Sequence, residues 1–144
     1  MEPHRLKRFR LLPGMILLGA LFIVFQGFKD AEGYSFRLII FEGSDWCPNC
    51  RRLEKNILND SVFLIKMKSA TIHIERVDFP QRKKLAEADK EYNQKTAEEY
   101  AFDGQFPTLI ISRTDTLIFR KIPFTNQSAE ELATQILRAS ELLK

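Results

Sequence analysis

Cys47 and Cys50 are the only cysteines in the 144-residue sequence, and only Pro48 and Asn49 stand between them. Two thiols at this spacing close a disulfide with each other, or ligate a soft metal together, with no help from the rest of the chain. Pro48 has no backbone N–H and a φ fixed near the helical value, so it suits the first position of a helix. Cys47 then falls at the N-cap and Cys50 three residues on, beside it on the helix surface. A cap side chain faces the unpaired N–H groups of the first turn. A sulfur in that place is favoured as thiolate by those donors and by the helix dipole. The expected arrangement is a nucleophile at the rim, Cys47, with a resolving thiol, Cys50, one layer in.

Other uses of the pair fit less well. A structural zinc site needs four ligands, and beyond the cysteines the chain offers only His4, in a basic N-terminus, and His73. A disulfide that closes so short a loop removes little chain entropy, so a purely structural role gains little. Two alternatives to redox chemistry stay open: a Cu(I) or other soft-metal carrier using both thiolates, and a non-catalytic docking module on a membrane tether. No metal or organic cofactor is required by the redox reading.

The formal net charge of +3 is concentrated at one end. Arg5, Lys7, Arg8 and Arg10 against Glu2 account for all of it, and the chain beyond residue 28 is balanced, which gives the folded part no nucleic-acid footprint. The basic segment precedes the apolar run Leu11 to Phe25. This build fits a cleaved secretory signal, with the small residues Ala31 and Gly33 beyond the run, or an uncleaved anchor. As a helix, residues 11–28 would span about 27 Å, just adequate for hydrocarbon about 30 Å thick. Either way the positive end stays in the cytoplasm and the rest is delivered outside. The expected division is 1–33 as signal peptide or membrane anchor with a short linker, and 34–144 as one domain on the periplasmic or cell-surface side.

The elements that must position the cysteines follow in order. Phe36 to Phe41 is a nearly continuous apolar run, as in a strand covered on both faces. Residues 42–45 turn into the cysteine helix, whose inner face carries Cys50, Leu53 and Ile57. Asn59-Asp60-Ser61 breaks it, and a short apolar helix follows from Val62 to Met67. Thr71 to Val77 reads as a second strand, with His73 an ordinary polar residue on it. Residues 81–100 are charged and helical in composition, and Thr96-Ala97-Glu98-Glu99 suggests a capping box dividing them into two segments. Phe106-Pro107-Thr108 introduces the strand Leu109 to Ser112, and after a turn at 113–115 the strand Thr116 to Ile122 returns. Ser128-Ala129-Glu130-Glu131 is a second capping box, opening a closing helix with Leu132, Ile136, Ala139 and Leu143 along one side. The order is β-α-β-α-β-β-α, with no internal repeat.

A strand followed at once by Trp46-Cys47-Pro48-Asn49-Cys50, with Phe106-Pro107-Thr108 some way on before a hairpin and a last helix, resembles the thioredoxin family. Gly43-Ser44-Asp45-Trp46-Cys47 with Val77-Asp78-Phe79-Pro80 is similar, more narrowly, to its extracytoplasmic members. The likeness covers residues 36–143. It implies an α/β domain with a mixed four-stranded sheet of order 2-1-3-4 and flanking helices. The eight residues from Phe28 to Ser35 cannot supply the extra strand and helix of full thioredoxins, so this is the minimal form of the fold. The resemblance also implies a cis peptide before Pro107, with the backbone at Phe106 and Pro107 set against the redox pair to receive a substrate peptide. The buried acid of the family corresponds to Phe41. Glu42, next to it, points to the other face by strand alternation, and is expected as a solvated strand-end charge or as a proton acceptor for Cys50.

The implied activity is thiol–disulfide exchange with protein thiols and disulfides outside the cytoplasm, together with an unidentified redox partner. Cys47 and Cys50 carry the chemistry, and Trp46 and Phe106 offer apolar surface to an extended peptide or pack locally. The Pro-Asn dipeptide leans toward reduction or isomerisation over oxidation.

Overall fold

The computed structural model describes residues 33–144. The run FRLIIFE forms β1, Phe36–Glu42, and its lack of polar alternation is explained by its place. It pairs in parallel with β2, Ile72–Asp78, and antiparallel with β3, Thr108–Arg113, so both its edges are used and both its faces are covered. β3 pairs antiparallel with β4, Phe119–Ile122, which gives a mixed sheet of order β2-β1-β3-β4. The expected sheet order is the observed one.

Alternate residues of β1 feed two apolar clusters. Leu38 and Ile40 pack with Leu53, Ile57, Phe63, Leu109, Leu132 and Ile136 on one face. Ile39 and Phe41 pack with Val77, Tyr100 and Ile110 on the other, with Phe79, Phe102 and Phe106 at its margin. Burying each such side chain contributes about 1.5–3 kcal/mol, and the sheet is held from both sides. α1, Pro48–Leu53, runs on into a π-helical turn, Glu54–Leu58, and α2, Ser61–Ser69, follows. α4, Ala129–Glu141, completes that layer, opened by the expected capping box between Ser128 and Glu131. Its Leu132, Ile136 and Ala139, and Leu143 just beyond it, are buried as expected.

Three elements differ from the sequence expectation. Residues 81–86 are not helical, and α3 begins only at Glu87 and runs unbroken to Glu99. Thr96 caps nothing: its hydroxyl donates to the carbonyl of Tyr92 one turn back, at 2.8 Å. An N-cap needs a non-helical backbone, and Thr96 sits inside a continuous helix. β4 starts at Phe119 rather than Thr116, because residues 114–117 are taken up by the bend that leaves β3. His73 lies exposed on β2, its ring 5.2 Å from that of Tyr34.

Among the described residues no helix is long and apolar enough to cross a membrane. The segment expected to be a signal or anchor lies outside the described residues.

The break between the π-helical turn and α2 rests on Asp60, whose carboxylate accepts the N–H of Phe63 at 2.8 Å. Replacing Asp60 with alanine leaves that donor unpaired at the start of the helix carrying buried Phe63 and Met67. Asp60→Ala is expected to lower unfolding free energy by about 1 kcal/mol, seen as a lower urea midpoint with an unchanged slope.

Candidate functional site

The site forms where β1 and β2 end side by side, with Glu42 opposite Asp78. Two chain segments leave the sheet there and bind each other. The carboxylate of Asp78 accepts from Ser44, the backbone N–H at 2.8 Å and the hydroxyl at 2.6 Å. Phe79 donates its N–H to the carbonyl of Glu42 at 2.8 Å. Trp46 Nε1 donates to the carbonyl of Phe79, also at 2.8 Å. Asp45 accepts three successive backbone N–H groups, from Gln81, Arg82 and Lys83, at 3.0, 2.7 and 2.9 Å. Desolvation pushes the Asp45 carboxyl upward, but these three donors outweigh it and hold the group below its ordinary value. A depressed carboxyl contributes stability above its unfolded pKa and loses it as pH falls through the folded value. The staple between the two segments therefore weakens only in acid.

The turn so fixed launches the cysteine helix. The carbonyl of Gly43 accepts the N–H of Cys47 at 2.9 Å. Cys47 is extended, at φ −78° and ψ 114°, and is the N-cap, with Pro48 following as the first helical residue. Its Sγ accepts the N–H of Cys50 at 3.1 Å. Sulfur thus occupies the place of a capping oxygen, as the position of Pro48 leads one to expect. The two cysteines are joined as a disulfide, Cα to Cα 5.3 Å. In this form the expected difference in depth is nearly absent, Cys47 being 3% and Cys50 1% exposed. Pro48 and Asn49 beside Cys47 are exposed.

The peptide bond between Phe106 and Pro107 is cis, as the resemblance implies. Trp46 and Phe106 meet edge to face, centroids 5.2 Å apart, and both remain half-buried. They pack on each other and still present surface. Phe106 also meets Phe102 at 5.0 Å and Phe79 at 5.9 Å, so the loop before β3 joins the active turn through an aromatic cluster.

Glu42 is not a solvated strand-end charge: it is 2% exposed. Alternation does send it away from Phe41, but the face it reaches is the one α1 covers, where it lines a cavity of about 310 Å³ together with Ser44, Cys50, Arg51, Glu54 and Arg76. Both of its oxygens accept from the Arg76 guanidinium, at 2.6 and 2.9 Å. Arg76 also pairs with Glu54. Hydrogen bonding to Glu42, set against desolvation, raises the Arg76 pKa further. The sequence expectation gave no role to Arg76 or Glu54, and named Asp45 and Asp78 only within the motifs that carry the resemblance. The parallel register places Arg76 opposite Ile40, hence on the face of Glu42, and that register was the missing signal.

Gly43 is required by space. A Cβ there would meet the Trp46 ring at 2.4 Å. Gly43→Ala is expected to expel the ring from its place and red-shift the fluorescence of this sole tryptophan, with the largest change in the oxidised protein's emission. An unchanged spectrum would show that the turn yields instead.

No family model matches the chain. It is 35% identical over 72 residues to the disulfide bond reductase DsbH of Chlamydia pneumoniae, a stretch that is half of this chain and 42% of that protein. The match therefore spans less than half of the relative's length. Among solved structures it is similar to a DsbH oxidoreductase, with TM-score 0.67 at 24% identity, covering 76% of this chain and 74% of that one. It is also similar to the reduced C-terminal domain of DsbD from Neisseria meningitidis, with TM-score 0.53 at 17% identity, covering 75% and 84%. The mixed four-stranded sheet, its order and the cysteine pair at the end of its central strand together make the described residues a thioredoxin-like domain.

Proposed function

We propose that the protein is a thiol–disulfide oxidoreductase acting on protein substrates, in the reducing or isomerising direction. The observation that carries this is the sulfur of Cys47 at a helix N-terminus, accepting an N–H there and joined to Cys50 as a disulfide. The Chlamydia relative is a disulfide bond reductase, which supports the direction. In the reduced protein the cap donors favour the Cys47 thiolate. That thiolate attacks one sulfur of a substrate disulfide, the substrate S–S bond breaks, and the departing sulfur takes up a proton. Cys50 then loses its proton and attacks the Cys47 sulfur, releasing the second substrate sulfur, which is protonated in turn. The substrate gains two electrons and two protons, the protein dithiol becomes the disulfide, and a separate dithiol partner resets it. No metal or organic cofactor takes part.

Trp46, Phe106 and Pro107 supply the surface for the substrate chain, and Glu42 receives the proton of Cys50. The shared cavity supports the Glu42 assignment, since Glu42 and Cys50 both line it. The location is extracytoplasmic, with the domain secreted or anchored by residues 11–28. Support comes from the basic residues ahead of the apolar run and from a disulfide chemistry that suits an oxidising compartment.

Cys50→Ala is expected to accumulate mixed disulfides with client proteins, visible as thiol-sensitive bands on non-reducing gels. Cys47→Ala should abolish both the bands and insulin reduction. The Cys47 thiolate absorbance should titrate below the value of about 8.5 of a free cysteine. Stoichiometric Cu(I) binding with sluggish disulfide exchange would instead favour the carrier reading. A cellular phenotype left intact by double cysteine substitution would favour the docking module. For the proton acceptor, Glu42→Gln is expected to slow resolution of a preformed mixed disulfide without moving the Cys47 titration; unchanged resolution would rule Glu42 out.

A further inference from the structure

Arg82, Lys83 and Lys84 are three consecutive exposed cations. Among the described ion pairs none involves them. They are also not free to move away from the redox pair. Asp45, two residues before Cys47, holds the backbone N–H groups of Gln81, Arg82 and Lys83. Since the chain beyond residue 28 is balanced in charge, this run is a local excess fixed beside the site.

Lys83 and Lys84 also line a cleft of about 980 Å³ between this loop and α3. Its apolar wall is Phe79, Leu85, Ala97 and Phe102. Phe79 and Phe102 are the same rings that contact Phe106 in the aromatic cluster of the site, so the cleft continues the surface next to the disulfide. Of the other charged residues on its wall, Lys90 is paired with Glu87 at 2.5 Å and Glu98 accepts from Gln94. The Gln94 amide is neutral and leaves Glu98 charged, so the wall sets two unpaired lysines against one carboxylate, a net positive balance to which the neighbouring Arg82 adds.

Resting on the oxidoreductase reading, we propose that this cleft binds the substrate polypeptide beside its disulfide, and that it selects segments carrying carboxylate side chains next to an apolar residue. The apolar residue packs against the wall of Phe79, Leu85 and Phe102, and the carboxylates face Lys83, Lys84 and the neighbouring Arg82. The electron flow is unchanged: Cys47 and Cys50 are oxidised to the disulfide and the peptide disulfide is reduced to two thiols. The cations act on encounter and orientation, which makes their effect sensitive to salt.

The test uses the reduced full-length chain in single turnover with two synthetic disulfide peptides that differ only in Glu or Gln at the flanking positions. Oxidised mercaptoethanol, small and neutral, serves as reference. The Glu peptide is expected to react faster, on the order of tenfold at low ionic strength, with the ratio shrinking as salt is added. In the triple variant Arg82→Gln, Lys83→Gln, Lys84→Gln the ratio of the two peptide rates should fall to about one at low salt, where charge steering is otherwise strongest. A ratio independent of salt and of the substitutions overturns the proposal and leaves the cations as solvating charge. Because the ratio compares two peptides on one protein, a partly destabilised variant does not obscure it. Failure of the unmodified protein to reduce oxidised mercaptoethanol sinks the oxidoreductase reading itself, whereas reduction with equal peptide rates sinks only the substrate assignment.

Discussion

The site depends on the polar tie between the two chain segments that leave the sheet after β1 and β2. Ser44 with Asp78, Phe79 with Glu42, Trp46 with Phe79, and Asp45 with residues 81–83 join them by seven hydrogen bonds, five of them accepted by carboxylates. A hydrogen bond to a charged group contributes about 1.5–3 kcal/mol when it is shielded from water and less when it is exposed. The geometric effect exceeds the energetic one. With residues 43–46 held, the carbonyl of Gly43 meets the N–H of Cys47, the backbone of Cys47 stays extended, and the helix has one place to begin. A sulfur can cap a helix only if the cap backbone is fixed by something else, because sulfur is a weaker acceptor than the oxygen it replaces.

Beneath that helix the chain keeps a charged group where a hydrophobe would pack more cheaply. Glu42 is nearly inaccessible, and its only compensation is the fork of Arg76, itself shared with Glu54. Burying such a pair is weak evidence for stability, since desolvation offsets most of the attraction. That carboxylate lies in the cavity that also reaches Cys50. The guanidinium engages both of its oxygens, so Arg76 and Glu42 form one unit beneath the helix.

Local pattern carried much of the fold. The unbroken apolar run of β1, the proline that fixes Cys47 as a cap, and the Ser128 to Glu131 box each express a rule that operates within a few residues. The failures are long-range or ambiguous. Thr96-Ala97-Glu98-Glu99 has the letters of a capping box, but Thr96 lies in an unbroken helix and bonds the carbonyl of Tyr92 instead. Residues 81–86 have the composition of a helix, and what determines their path is Asp45, some 36 positions earlier. Glu42 was assigned a face correctly and an environment wrongly, because the occupant of that face depends on where α1 packs and on the register of β1 with β2. The aromatic cluster was legible only as its separate members, Trp46 and Phe106, and the parts supplied by Phe79 and Phe102 come from the fold.

The two sulfurs are almost equally buried in the disulfide, so their division of labour cannot rest on depth. It rests on what each one faces. Cys47 caps the helix beside exposed Pro48 and Asn49, next to the half-open rings of Trp46 and Phe106. Cys50 lies within the helix and lines the cavity that Glu42 and Arg76 share. The exposed residues and half-open rings therefore lie on the Cys47 side, and the buried carboxylate on the Cys50 side. In the disulfide the N–H of Cys50 already bonds the Cys47 sulfur, and a donor in that place favours a thiolate over a thiol.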